Sequence, residues 1–140
     1  MRLPALALLI CLCGCSSSSA DAPAGPCAPH VGTYVRHEVE RPGGTCGTLS
    51  DQVEFVDSTK PGSVGTGCAG SIALSSDQCT ETPAFSCNRT DNAGPFTDTY
   101  KGSVTWSKDG ASALGVLERD VVYASGAACT SLYDVSLARQ

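Results

Sequence analysis

Residues 27–140 predict an all-β fold: a single antiparallel domain of about seven strands, a meander barrel or a sandwich, stapled by three disulfides. Three observations carry this expectation. Apolar residues recur at every second position in several short stretches, the period at which side chains share one face of a strand. Gly, Pro, Asn and Asp cluster between the stretches, and no convincing window of helical period intervenes. Six cysteines (Cys27, Cys46, Cys68, Cys79, Cys87 and Cys129) form an even set in a small domain.

The first strand candidate, GTYVRHEVER (32–41), sets Val35, His37 and Val39 on one face and Tyr34, Arg36, Glu38 and Glu40 on the other. The second, DQVEFVD (51–57), groups Val53 with Phe55. GSIAL (70–74) is a short third. TETPAFSC (80–87) is a fourth, in which Pro83 points to an edge or a bulge, since proline donates no ladder hydrogen bond. TYKGSVTW (99–106) alternates Tyr100, Gly102, Val104 and Trp106 against polar residues. ALGVLERDVVY (113–123) is rich in β-formers, and CTSLYDVSLAR (129–139) alternates Tyr133, Val135 and Leu137. Asp109-Gly110 between the fifth and sixth candidates is the clearest hairpin tip.

Disulfides are preferred to a metal site, because the six cysteines contain no Cys-x-x-Cys and the chain has only two histidines. Strands running up and down in strict order would place Cys46 and Cys79 at one end and Cys27, Cys68, Cys87 and Cys129 at the other. Bonded cysteines need Cα atoms within about 7 Å, whereas a six-residue strand spans about 20 Å. The expected pair is therefore Cys46–Cys79, with the pairing of the other four open.

Ahead of the domain, Met1-Arg2 supplies one positive charge and Leu3–Leu12 is a largely apolar run of about ten residues. That is too short for a spanning helix, which needs about 20 residues, but suits the apolar region of an export signal. Leu12-Cys13-Gly14-Cys15 resembles the lipobox of bacterial lipoproteins. The resemblance implies a signal peptide over residues 1–14, lipidation of Cys15, and cleavage that leaves Cys15 first. Cys11 and Cys13, preceded by the large Ile10 and Leu12, fit the pattern less well and would leave with the signal. Residues 15–26 then form the lipidated cysteine and a flexible Ser/Ala/Pro tether to the 27–140 domain. Ser16 after the cysteine resembles the outer-membrane sorting default, so the expected address is the bacterial envelope, lipid-anchored at the outer membrane. Two or more acyl chains, palmitate among them, hold firmly where one holds marginally.

A second resemblance rests on the opening Gly32-Thr33-Tyr34, the Gly44-Thr45-Cys46-Gly47 that follows, and the closing Tyr133-Asp134-Val135. Together they are similar to small, cysteine-rich, uncharacterised bacterial lipoproteins, a likeness that brings no activity. The Gly32-Thr33-Tyr34 start is also similar to the Gly-x-Trp start of lipocalin-like barrels, which implies a small-molecule cavity.

Loss of Arg2 with the signal leaves 8 Lys/Arg against 14 Asp/Glu, a net charge of −6. The cations are scattered, which argues against nucleic-acid binding and against a polybasic membrane patch. No catalytic pattern emerges. His37-Glu38 begins a metalloprotease-like motif, but Arg41 stands where its second His belongs, and no Gly-x-Ser-x-Gly elbow is present. His30 is expected at the surface and His37 at the core or its rim. Glu38/Glu40 and Glu118/Asp120 are expected on solvated sheet faces. No cofactor or metal is expected. The first expectation for function is a non-catalytic binding or structural module of the envelope, held to the membrane by its lipid. A lipocalin-like carrier of a small apolar ligand is the alternative, and a hydrolase with an unrecognised site the third.

Overall fold

The computed structural model describes residues 26–60, 62, 64 and 66–140. The signal at 1–14, Cys15 and all of the tether but Pro26 lie outside the described residues. The domain consists of β1 (Val31–Glu40), β2 (Gln52–Asp57), β3 (Cys68–Leu74), β4 (Thr80–Asp91), β5 (Gly94–Trp106), β6 (Ser112–Tyr123) and β7 (Ala128–Arg139). All seven lie in one antiparallel sheet of order β2-β1-β7-β6-β5-β4-β3, curled into a half-barrel.

The sequence places all seven strands. It shortens the β4–β5 hairpin, which continues to a tight turn at Asn92-Ala93. Residues 88–98 are so rich in turn-forming types that local preference hides their pairing. At Asp109-Gly110 the hairpin is as expected: Gly110 has φ +65°, and its N–H donates to the Ser107 carbonyl at 2.9 Å. A Cβ at Gly110 would also stand 3.1 Å from the Cβ of His30. Pro83 lies neither at an edge nor at a bulge. It is buried in β4, one strand in from the edge, and the β4–β5 register is unchanged on either side of it. Only Thr82 and Pro83 go unpaired toward β5, so the missing N–H interrupts the ladder without shifting it.

Direction is the main departure from expectation. Every neighbouring pair is antiparallel, so seven strands leave β2 and β3, the two edges, pointing the same way. β2 ends at the lower end of the sheet, where Asp57 pairs with Val31. β3 begins at the upper end, where Cys68 pairs with Cys87. The connection between them therefore returns the full length of the sheet with no strand among its described residues, and every later strand runs opposite to strict alternation.

The disulfides follow from this reversal. The bonds are Cys27–Cys79, Cys46–Cys129 and Cys68–Cys87, and the expected Cys46–Cys79 pair is absent. Cys79 lies at the lower end beside Cys27, whose N–H donates to the Asp77 carbonyl at 2.8 Å. Cys46 lies at the upper end with Cys129. The rule that opposite ends cannot bond holds, but the reversed connection exchanges the ends of Cys68, Cys79, Cys87 and Cys129. In the chain-entropy picture, the bonds spanning 83 and 52 residues each contribute about 4–4.5 kcal/mol, and the 19-residue bond about 3.

The core fills the concave face: Tyr34, Val104, Trp106, Ala113, Leu117, Tyr133, Val135 and Leu137. In β5 and β7 the apolar alternates point inward, as the pattern predicts. In β1 and β2 the faces are inverted. Tyr34 and Glu38 are buried, whereas Val39 is 51% exposed and Phe55 69%. Tyr34 decides the choice in β1. Its ring meets Trp106 edge-on at 5.1 Å, its hydroxyl donates to the Gly110 carbonyl at 2.6 Å, and Arg139 lies over its face. Once Tyr34 points in, period two carries Arg36, Glu38 and Glu40 in with it.

Candidate functional site

The free edges β2 and β3 flank a trough in the concave face. Its lower part is a cavity of about 490 Å³, a size common for small-molecule sites. Val104, Leu117, Val135 and Leu137 form an apolar floor, Val56 of β2 and Ile72 of β3 stand at the flanks, and Trp106, Phe85 and Tyr100 add aromatic surface. Toward the upper end a second cavity of about 460 Å³ adjoins it, lined by Arg36, Glu38, Gln52, Glu54, Asn88 and Arg89 among others. Arg36, Glu54, Phe85 and Tyr100 border both.

The sheet register builds the charged part. β5 presents Asp98 and Tyr100 two residues apart on its inner face, and β6 presents Arg119 opposite Tyr100. Arg119 grips the fully buried Asp98 with both arms, Nε to Oδ1 at 2.8 Å and one terminal nitrogen to Oδ2 at 3.0 Å. The Tyr100 hydroxyl donates to the same Oδ2 at 2.9 Å, and Arg89 Nε stands 3.7 Å from it. Burial, reinforced by the Asp98 charge, pushes the Tyr100 phenol up to about 12. The hydrogen bond to Asp98 raises Arg119, holding it firmly charged. On β1, Arg36 binds the buried Glu38 and lies 3.7 Å from Glu54 Oε2 on β2.

Two histidines and two carboxylates stand elsewhere than expected. His30 is not at the surface but fully buried: its ring stacks on Trp106 at 3.9 Å, and Nε2 lies 2.8 Å from Glu81 Oε1. The Gly110 hairpin tip covers it, a contact no local pattern reveals. His37 points outward beside exposed Asp51, away from core and rim. Glu38 and Glu40 do not form a solvated pair. Glu38 is buried against Arg36, and Glu40 accepts hydrogen bonds from the Ser131 hydroxyl and the Gly47 amide.

All six domain cysteines are engaged in disulfides. Cys15, the expected lipidation site, lies outside the described residues. No group of three or more His, Cys, Asp or Glu placed to hold a metal occurs among the described residues. Buried titratable groups in and beside the trough are paired: Asp98 with Arg119 and Tyr100, Glu38 with Arg36, and His30 with one oxygen of Glu81. Sequence reasoning missed Glu54 and Glu81 as trough residues, and Asp98 and Arg119 as the buried pair that Tyr100 joins. The spacing Asp98-x-Tyr100 signals a shared face, but their cross-strand partners depend on register.

In comparisons with known proteins, no family model, no curated protein and no solved structure matches the chain.

Proposed function

We propose that the chain is an exported, non-catalytic binding module of the bacterial envelope, anchored by lipid at Cys15, and that its trough takes a small molecule with an apolar body. The observation that carries this proposal is the cavity of about 490 Å³ with an apolar floor, open between two unpaired sheet edges. A purely structural module would gain stability by packing that floor shut, since voids forfeit contacts. The three disulfides suit an oxidising compartment such as the envelope.

Titration with N-phenyl-1-naphthylamine, a neutral apolar dye that brightens on leaving water, tests the trough. Saturable brightening is expected from the oxidised domain. Ile72→Trp, which fills the cavity from edge strand β3, should abolish it while leaving the thermal transition in place. No saturable signal, or one that survives Ile72→Trp unchanged, would defeat the proposal. For the anchor, wild-type protein should take up a clickable fatty acid and Cys15→Ala should not.

A further inference from the structure

We infer that the trough is selective for an organic cation: an amine on an apolar body, with the body on the floor and the positive charge set against Glu54 and Glu81. This rests on the small-molecule function proposed above and adds the charge of the ligand to it.

The charges around the apolar cavity are unequal in what they leave unused. Its lining contains three carboxylates, Asp57, Glu54 and Glu81, and two cations, Arg36 and Lys60. Lys60 is taken by Asp57 at 3.3 Å, and Asp57 also accepts from the Thr59 hydroxyl and amide. Arg36 is held by Glu38, which is buried and closer than Glu54. That leaves Glu54 with one distant partner at 3.7 Å and no hydrogen bond among the described residues. Among the described residues Glu81 has a single partner, Nε2 of His30. The Nδ1 of that ring is buried without a partner. The tautomer that strands no N–H puts the hydrogen on Nε2, donating to Glu81, and leaves Nδ1 as a bare acceptor. Glu81 thus accepts at Oε1 and, among the described residues, has its second oxygen open to another donor.

Both carboxylates belong to the flanks of the open trough. Glu54 is on edge strand β2 and Glu81 is on β4, beside edge strand β3. Their side chains are 34% and 19% exposed, so each is partly desolvated yet accessible. Phe85, Tyr100 and Trp106 line the same space, and aromatic faces attract cations. The net charge of −5 for the whole chain adds a weak long-range field of the same sign.

Calorimetric titration of the oxidised domain with octylamine, octanol and octanoate separates the charge from the apolar body. Octylamine should bind about tenfold more tightly than octanol, as expected of one partly screened ion pair, and octanoate more weakly than either. Glu54→Gln and Glu81→Gln keep side-chain size, and glutamine at 81 can still accept from His30. Combined, they should bring octylamine to the affinity of octanol and leave octanol unchanged. Three ligands of equal affinity, octanoate binding tightest, or an amine preference that survives the double variant would each overturn the charge selectivity while leaving the trough as a site. Absence of binding by all three, octanol included, would remove the site and this inference with it.

Discussion

The lower and upper halves of the concave face fill the same sheet by different physics. Below, Trp106, Val104, Leu117, Val135 and Leu137 bury apolar area, worth about 25 cal/mol per Å² and indifferent to direction. Above, the interior is occupied by Asp98, Arg119, Tyr100, Arg36 and Glu38, whose removal from water must be offset bond by bond. The lower half can leave a cavity open beside it without breaking an ion pair, and there the Trp106 Nε1 and His30 Nδ1 are buried without partners. The upper half cannot lose one member of the Asp98–Arg119 or Arg36–Glu38 pairs without taking from the other its nearest partner.

The sharpest way to break this contrast is to remove one partner above. Asp98→Ala leaves Arg119 half-buried without its carboxylate and should cost about 3–5 kcal/mol. Replacing both, Asp98→Leu with Arg119→Met, should recover most of that loss, because the cost lies in the orphaned charge. Urea unfolding of the oxidised proteins measures both, and a double variant as unstable as the single would show that the pair itself is the source of stability. Below, Leu117→Ala should cost about 3 kcal/mol and enlarge the cavity, by lost transfer energy and incomplete collapse. A loss under 1 kcal/mol would mean that the floor is already loose. The smallest effect concerns Tyr100. Tyr100→Phe removes one hydrogen bond to Asp98 and should cost about 1 kcal/mol at neutral pH. Because folding raises this phenol from 10.0 to about 12, its contribution is complete below pH 10 and is lost as pH rises toward 12. The alkaline fall in stability should therefore be shallower in Tyr100→Phe; identical slopes would place Tyr100 in water.

Much of the lower half is legible in the sequence. Val104 and Trp106 alternate in one segment and Tyr133, Val135 and Leu137 in another, and their apolar side is also their buried side. The upper half is not legible in this way. Arg36, Glu38, Asp98 and Arg119 each look like solvated alternates, since a charged residue is usually outside. Their burial depends on partners from other strands, and register sets those partners. In β1 the pattern offers Val35 and Val39 as the inner face. Tyr34 overrides it, because a ring that packs on Trp106 and donates to Gly110 buries more surface than two valines at the end of a sheet.

The sequence by itself determined the β class, the seven strands, the Asp109-Gly110 turn and the use of six cysteines in bonds, because period, turn chemistry and cysteine number act over a few residues. Only the tertiary structure decided which cysteines meet, which face of β1 is inside, and that the sheet stays open. Tyr34 decides the second, and the first and third depend on the connection from β2 to β3. By returning the full length of the sheet, it leaves both edges running the same way, brings Cys27 to Cys79 and Cys46 to Cys129, and leaves the trough open between the edges.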